Sequence, residues 1–410
     1  MKKLLALILS LVMVLSFAAC GGQPQEEAQT PEAETEATAS DFKVGFIFLH
    51  DENSTYDKNF IDAAKAATEA MGLTDDQVVF KVNIPEGAEC YEAAAELADD
   101  GCDLIFADSF GHEDYMIQAA KEFPEVNFCH ATGTKAHTEG LDNYFNAFAS
   151  IYEGRFLVGV AAGLKLNEMV EKGDITADQL KMGYVGAYPY AEVKSGLTSF
   201  YLGAKYVCPD VTMDVKFTNS WFDIGEEREA ANALIADGCV LISQHADSEG
   251  APKACEEAGV PNVAYNLDTR EWGPNTALVS SKINWQPYFE HIIDATMNGT
   301  PITQDYCGTL KDDGVQILGL NEAVAAAGTA EKLEEIKAKL IAGEINVFDT
   351  ATFTVKGETL TEYLADVDSD EAFEHETQVI EDGIFMESKF RSAPYFDIQI
   401  DGITLLNSMF

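Results

Sequence analysis

Two stretches of the chain repeat each other, and they decide the fold. Leu97–Ile105 reads LADDGCDLI, and Leu234–Ile242 reads LIADGCVLI. The chain upstream repeats as well, because KVGFI at residues 43–47 is matched by KMGYV at residues 181–185. A repeat of this length indicates two halves that share one supersecondary plan.

Within each half, short apolar runs alternate with stretches of helical spacing. Residues 44–49 read as a strand, and residues 57–71 carry an apolar stripe of helical period that ends at Gly72. The same alternation runs from residue 183 to residue 264. Buried strands that alternate with helices imply a parallel sheet covered on both faces. The predicted fold class is therefore α/β, with two doubly wound parallel-sheet lobes and a hinge.

The chain has 410 residues, which is too many for one core and suits two lobes. We expect lobe 1 to comprise residues 42–134 plus about 267–300, and lobe 2 to comprise residues 135–266 plus about 301–348. Residues 349–410 are expected to form a C-terminal extension packed on lobe 2.

The first twenty residues have the pattern of a secretory signal peptide. Lys2 and Lys3 precede the apolar run Leu4–Leu15, which is too short to span a bilayer. Small residues then lead to Cys20, as in a bacterial lipoprotein signal, which this segment resembles. We expect residues 1–20 to be removed and Cys20 to be lipidated, which would place the protein on the extracellular side of the cell membrane. The alternative is an ordinary signal peptide cut nearby.

Residues 21–41 are mostly Gly, Gln, Pro, Glu, Ala and Thr and contain no large apolar side chain. Such a segment cannot bury enough apolar surface to offset the entropy of ordering it. We expect a disordered tether that holds the folded body away from the membrane.

The charge balance excludes two classes of partner. Lys and Arg number 26 against 70 Asp and Glu, which gives a formal net charge of -44. A surface this acidic repels nucleic acid and anionic lipid, and it disfavours a strongly anionic ligand.

Besides Cys20, seven cysteines are scattered without the spacing of a disulfide framework or a zinc site. We expect a monomer without a metal and with most of these cysteines in the core.

Catalytic motifs are missing from the sequence. His245, Asp247 and Ser248 include the residue types of a hydrolytic triad, but they are too close along the chain to form its geometry. The sequence contains neither a G-x-S-x-G elbow nor a glycine-rich phosphate-binding loop. The predicted function is therefore binding rather than catalysis, and no cofactor is implied.

Polar and aromatic residues follow four of the predicted strands directly. They are His50–Ser54, Asp108–Phe110, Tyr188–Tyr190 and His245–Ser248. Ligands of doubly wound sheets bind at the carboxyl ends of the strands. These four tips therefore predict a ligand cleft between the two lobes.

Seven segments in the same order resemble one protein family. They are VNIPEG (82–87), LIFADSFG (104–111), FPEV with HATG (123–133), YEGR (152–155), NSWFD (219–223), QHADS (244–248) and NW (284–285). On these residues the chain is identified as a member of the basic membrane protein family of lipoproteins. The resemblance implies the type I periplasmic-binding-protein fold and a solute-binding protein that delivers its ligand to an ABC permease in the membrane.

The resemblance further implies a purine base or a purine nucleoside as the ligand. Most of the segments are similar to the purine-base-binding branch, but the first loop has no tryptophan near Ser54, and DKNF at residues 57–60 is similar to the nucleoside-binding branch. Asn284 stands in the region where the family's nucleoside binders carry a lysine. The choice between base and nucleoside stays open.

A flat, uncharged purine needs aromatic faces for stacking and carboxylates or amides along its edge. Trp221 is the best stacking candidate, with a place in the hinge or core as its alternative. Asp247 and His245 lie two apart at one strand tip, and Asp247 is suited to accept hydrogen bonds from ring N–H or amine groups. The alternative for Asp247 is to cap the next helix.

The first lobe offers similar candidates. Asp108 and Ser109 occupy the equivalent strand tip, with the same capping alternative. Tyr56 or Phe60 supplies a second aromatic face, although Phe60 also fits the apolar stripe of its helix. The family resemblance adds Asp268 as an acidic ligand-binding residue.

Two other functions remain open on the same fold. A tethered sensor would present its ligand to a membrane receptor rather than to an importer. A sugar-binding protein would use the same aromatic side chains, because sugars also stack on tryptophan.

Overall fold

The structure is a computed structural model, and it describes residues 41–367 and 375–407. The predicted signal peptide with Cys20, and all of the predicted tether except Asp41, lie outside these described residues.

The described elements alternate along most of the chain. The strands are β1 (Val44–Ile47), β2 (Val78–Lys81), β3 (Leu104–Ala107), β4 (Asn127–Ala131), β5 (Tyr144–Ala149), β6 (Lys181–Gly186), β7 (Thr212–Phe217), β8 (Leu241–Gln244), β9 (Asn262–Tyr265), β10 (Ala277–Ile283), β11 (Asp305–Gly308), β12 (Val315–Leu318), β13 (Leu364–Ala365), β14 (Thr377–Gln378), β15 (Ile380–Glu381), β16 (Ile384–Phe385) and β17 (Ile403–Asn407). The α-helices are α1 (Thr55–Ala70), α2 (Ala88–Asp99), α3 (Glu113–Glu122), α4 (Ala136–Glu139), α5 (Ile151–Lys172), α6 (Ala191–Val207), α7 (Ile224–Ala236), α8 (Gly250–Ala258), α9 (Gln286–Asn298) and α10 (Thr329–Ile341).

Lobe 1 is built on six parallel strands in the order β11-β5-β4-β3-β1-β2. Helix α9 packs on α1 beside this sheet, and the ring of Phe289 lies edge-on to that of Phe106, with centroids 4.8 Å apart. The strands β1 and β3 are fully buried, as expected for a sheet covered on both faces.

Lobe 2 is built on seven strands in the order β12-β10-β9-β8-β6-β7-β17. Only the β12–β10 pair is antiparallel. Helices α5 and α6 pack closely against each other on this sheet. Gly203 allows their backbones to approach, because a Cβ there would stand 2.0 Å from the carbonyl oxygen of Phe156. The two parallel-sheet lobes agree with the predicted fold class.

The lobe boundaries differ from those predicted. Strand β5 lies in the lobe 1 sheet although residues 135–266 were expected in lobe 2, and β11 lies there too. Strand β10 lies in the lobe 2 sheet although residues about 267–300 were expected in lobe 1. Strand β11 is the outer strand of its sheet, and β5 and β10 each pair with an outer strand, β11 and β12. Hydrophobic periodicity identifies a strand but not the edge that it joins, so the sequence pattern assigned these three to the wrong lobe.

The chain crosses between the lobes three times, and the crossings lie side by side. They are Ser150 after β5, Asn284 after β10, and residues 309–314 between β11 and β12. The amide of Ser150 donates to the carbonyl of Gly308 at 2.8 Å, and the amide of Asn284 donates to that of Gly314 at 2.9 Å. A Cβ on Gly314 would lie 2.6 Å from the Cα of Gly308, so the crossing strands need glycine there.

The C-terminal extension contacts both lobes. Strand β17 runs parallel to β7 and forms the outer strand of the lobe 2 sheet. The amide of Ser392 donates to the Oδ2 atom of Asp305, in β11 of lobe 1, at 2.9 Å. Between these two contacts, the ring of Phe396 stacks on that of Phe348 with centroids 4.4 Å apart.

Seven cysteines lie in the described residues and all are free thiols. Six of them are buried and Cys307 is partly buried, which agrees with the core positions predicted for most of them. Among the helices of residues 41–367 and 375–407, none combines the length and apolar character that a membrane crossing requires.

Candidate ligand-binding site

A cavity lies at the carboxyl ends of the strands, between the two lobes. It encloses about 410 Å³ of space, its open mouth included. Both lobes contribute to its wall, and the lining residues are Leu49, His50, Tyr56, Asp57, Ser109, Phe110, Thr132, Glu192, Trp221, His245 and Asp247. The cavity therefore stands where the predicted cleft was expected.

The two lobes touch each other around this cavity. The amide of Thr55, at the start of α1, donates to the carbonyl of Asp247 across the cleft at 2.8 Å. The rings of Phe110 and Tyr190 also meet across it, with centroids 5.6 Å apart. The cleft is thus described in a closed arrangement.

Trp221 lines the cavity from lobe 2, and two tyrosine rings pack beside it. The indole of Trp221 meets the ring of Tyr188 edge-on at 5.1 Å between centroids, and the ring of Tyr190 lies 6.0 Å away. The carbonyl of Trp221 accepts a hydrogen bond from the amide of Asp247 at 2.9 Å, which ties the tryptophan loop to the tip of β8. The stacking candidate therefore lines the cavity and is held beside the carboxylate candidate.

Asp247 is almost fully buried at the cavity. Its Oδ1 atom accepts a hydrogen bond from the side-chain amide of Asn266 at 3.3 Å. The helix-capping contact belongs to Ser248 instead, whose hydroxyl accepts from the amide of Gly250 at 3.0 Å. Burial raises the pKa of Asp247 well above its ordinary value, and the nearby charge of Glu227 raises that pKa further.

His245 links a buried cation to a carboxylate at the cavity. The guanidinium of Arg155 lies 3.1 Å from the Nδ1 atom of His245, and Glu192 lies 2.8 Å from the Nε2 atom. A guanidinium can only donate, so Nδ1 accepts and Nε2–H donates to Glu192. Burial lowers the pKa of His245, which keeps the ring neutral between the two charges.

Arg155 itself is fully buried below the cavity. Its guanidinium carbon lies 3.5 Å from the centre of the Tyr265 ring, and its Nη1 atom donates to the carbonyl of Gln244 at 3.0 Å. Burying a cation is costly unless it is compensated by hydrogen bonds and opposite charge. The ring, the carbonyl and the path through His245 to Glu192 supply that compensation.

On the lobe 1 side, Asp108 supports the site from beneath and does not line it. Its Oδ1 atom accepts from the amide of Leu49 at 3.1 Å, and its carbonyl accepts from the hydroxyl of Tyr56 at 2.8 Å. Burial raises the pKa of Asp108 well above its ordinary value, and the charge of Asp57 adds to this effect. Asp108 therefore positions Tyr56, whose ring lines the cavity.

Asp57 is a buried carboxylate that the sequence analysis did not select. It accepts from the amide of His50 at 2.7 Å and from the hydroxyl of Ser54 at 2.6 Å. Burial raises its pKa, but the hydrogen bonds from His50 and Ser54 outweigh this and hold the pKa below its ordinary value. The other lobe 1 candidate, Ser109, lines the cavity and donates its hydroxyl to Glu86 at 2.6 Å.

Two predicted site residues lie elsewhere. Phe60 is fully buried in the core, where its ring stacks on that of Trp285 with centroids 4.5 Å apart. Its helical stripe faces the core, so the alternative given by that stripe is correct. Asp268 pairs with Arg270 two residues on, with a shortest Nε–oxygen distance of 2.9 Å, and does not line the cavity. Asp268 follows strand β9, one of the strands of lobe 2, but its side chain is not among those that line the cavity.

The sequence analysis also missed Glu192 and Thr132. Glu192 lies two residues after the predicted tip Tyr188–Tyr190, in the first turn of α6. This closeness to a strand tip is the signal in the sequence that could have identified it. Thr132 directly follows β4 and adopts a φ of 64°, a left-handed conformation that is costly for a β-branched residue. Backbone strain of this kind is concentrated at functional sites.

The chain is similar to known proteins over most of its length. Residues 47–351 match the family Bmp, described as ABC transporter substrate-binding protein PnrA-like. The chain belongs to the Bmp family. It is 35% identical over 310 residues to the purine-binding protein BAB2_0673 of Brucella abortus, covering 75% of this chain and 83% of that one. It is 30% identical over 299 residues to the putative ABC transporter glucose-binding protein TsgA13 of Haloferax volcanii, covering 73% and 68%.

A solved structure supports the fold. The solute-binding protein of an ABC transporter system from Conexibacter woesei aligns with a TM-score of 0.61 at 18% identity, covering 74% of this chain and 98% of that one. The predicted type I periplasmic-binding-protein fold is confirmed. This Bmp-family protein is the substrate-binding component of an ABC transporter and works outside the cytoplasm.

A buried carboxyl below the Asp247 loop makes a pH-dependent contribution to stability. Glu227 accepts a hydrogen bond from the amide of Ser248 at 3.0 Å, and burial raises its pKa from 4.5 to about 7. Between these values the folded protein holds a proton that the unfolded chain has released. This group therefore makes the free energy of unfolding fall as pH rises from 4.5 to 7, by up to about 1.4 kcal/mol per pH unit.

We expect Glu227→Gln to remove this part of the pH dependence in urea unfolding measured from pH 5 to pH 8. Glu226→Gln, at the exposed neighbouring position, is the matched control and should keep the dependence of the natural protein. An identical pH dependence in the Glu227→Gln variant and the natural protein would show that Glu227 does not hold the extra proton.

Proposed function

We propose that the cavity binds a purine base or purine nucleoside, which the protein delivers to its ABC permease. The observation that carries the proposal is the placement of Trp221 beside two carboxylates, Asp247 and Glu192, in one buried cavity. The indole offers a face for stacking, and the carboxyl oxygens offer acceptors for ring N–H and exocyclic amine groups. A relative that is named as a purine-binding protein supports the same ligand class.

The balance of charge around the cavity favours an uncharged ligand. Glu192 is compensated through His245 by Arg155, and the high pKa of Asp247 favours its neutral form. A strongly anionic ligand would lose its hydration in this space, and no Lys or Arg stands among the described residues that line it. A neutral heterocycle avoids this cost.

Binding proceeds through closure of the lobes. The ligand first docks on the tips of one lobe, and the hinge at the three crossings then brings the second lobe over it. The hydrogen bond from Thr55 to Asp247 forms only when the lobes meet, so it adds to the stability of the closed state. No covalent step is needed, and the permease binds the surface of the closed form.

A sugar is the second candidate ligand, because another relative is named as a putative glucose-binding protein. Isothermal titration calorimetry with adenine, hypoxanthine, adenosine, inosine, ribose and glucose separates the two. We expect saturable binding of at least one purine and none of ribose or glucose. Saturable binding of a sugar without any purine would replace the purine assignment.

Loss of the stacking face should weaken purine binding. Trp221→Ala is expected to cost about 1–3 kcal/mol of binding free energy, the range measured for base–aromatic stacking in nucleic-acid complexes. Trp272→Ala is the matched control, since Trp272 is also partly buried but lies outside the cavity. Equal purine affinity of the Trp221→Ala variant and the natural protein, by calorimetry, would remove Trp221 from the site.

We further propose that Cys20 carries a lipid anchor, as its lipoprotein-like signal indicates. Cys20→Ser should then move the protein from the membrane fraction to the medium or periplasm, and globomycin, an inhibitor of lipoprotein signal cleavage, should block maturation of the natural chain. A membrane fraction unchanged by Cys20→Ser, together with maturation unaffected by globomycin, would contradict anchoring through Cys20. Purine binding by the released protein should be unaltered, because the cavity is built from residues far along the chain.

A further inference from the structure

A second cavity adjoins the first, and the C-terminal extension forms one of its walls. Its walls enclose about 850 Å³, part of it open to solvent. It shares Phe110, Thr132, Glu192 and Trp221 with the first cavity, so the two spaces adjoin each other. The extension contributes Asp366, Arg391, Ala393 and Pro394. We call this space the outer compartment.

The wall of the outer compartment that the extension forms lies outside the part of the chain that matches the family. The family match ends at residue 351, before all four of the extension residues that line the space. The wall is fixed on both sides: β17 pairs with β7 of lobe 2, and the amide of Ser392 donates to Asp305 of lobe 1. The segment that carries Ala393 is therefore a built part of the cleft rather than a loose tail.

The outer compartment is mainly apolar, with polar groups at its edge. The rings of Phe110 and Tyr190 lie on one side, and Ala393 and Pro394 lie on the other. Thr132 borders both spaces. Flat faces with a few hydrogen-bonding groups are the surfaces that hold a hydroxylated ring.

The charged groups of the outer compartment are compensated by neighbours. Lys135 pairs with Asp114, and Glu192 pairs with His245. The guanidinium of Arg391 donates to the carbonyl of Ala393 at 3.2 Å and to that of Pro394 at 3.3 Å. The charge of Asp366, which also lines the space, acts on the guanidinium of Arg391. With its cations facing carboxylates in this way, the space disfavours a phosphate or carboxylate and suits an uncharged group.

We propose that the outer compartment is a second subsite of the cleft, which takes an uncharged, hydroxyl-bearing ring attached to the heterocycle beside Trp221. The C-terminal extension thereby determines which ligands fit, because its residues close the far side of that subsite. This inference rests on the proposed function. It assigns to the extension a part in ligand selection, with Ala393 as a specificity-determining residue.

The test compares a purine with and without a sugar. By calorimetry, the natural protein should bind adenosine about tenfold or more tightly than adenine, because adenosine alone fills both spaces. Ala393→Leu fills the outer compartment and should abolish this difference while adenine binding persists. Retained adenine binding also shows that the variant is folded. Ala351→Leu, on an exposed turn near the start of the extension, is the matched control and should keep the difference.

A second variant covers the case in which Ala393→Leu does not fold. Tyr190→Ala removes a wall of the outer compartment at a side chain that is 40% exposed, and it should weaken adenosine binding more than adenine binding. Equal affinities for adenine and adenosine in the natural protein, or equal losses for both in the folded variants, would overturn the subsite. Absence of binding for every purine in the natural protein would instead overturn the proposed function.

Discussion

The direction of the strands is the constraint on which the site depends. In each lobe the neighbouring parallel strands end at one edge, so the loops that follow them gather there. The three crossings then set the two edges face to face. The hydrogen bond from Thr55 to Asp247 joins them and places the tip of β8 against the start of α1. Residues that are far apart in the sequence become neighbours for this reason alone.

Burial of charge is the second condition that the site meets. Arg155 reaches from helix α5 in lobe 2 to the underside of the cavity. Its guanidinium contacts His245, which in turn contacts Glu192. In lobe 1, Asp57 is held ionised by His50 and Ser54, while its neighbour Asp108 is favoured in the protonated form. These arrangements fix side-chain positions before any ligand arrives, which reduces the cost of ordering them on binding.

The sequence predicts the two lobes and much of the cavity, because repeats and strand tips are local features. Trp221, His245, Asp247, Tyr56 and Ser109 all line the cavity as expected. Local features do not reveal which sheet edge a strand joins, and so β5, β10 and β11 were assigned to the wrong lobe. They also do not distinguish a core ring such as Phe60 from a ligand-facing one. Glu192 matters through its contact with His245, which lies far along the chain, and spacing cannot show such a contact.

The most direct test of the central claim is a crystal structure of the protein grown with adenine. The account predicts electron density for the ring between the lobes, with its plane against the indole of Trp221 and its nitrogen atoms within hydrogen-bonding distance of Asp247 and Glu192. Density for adenine at another surface, or a cavity that holds a different molecule and leaves the indole uncovered, would contradict it.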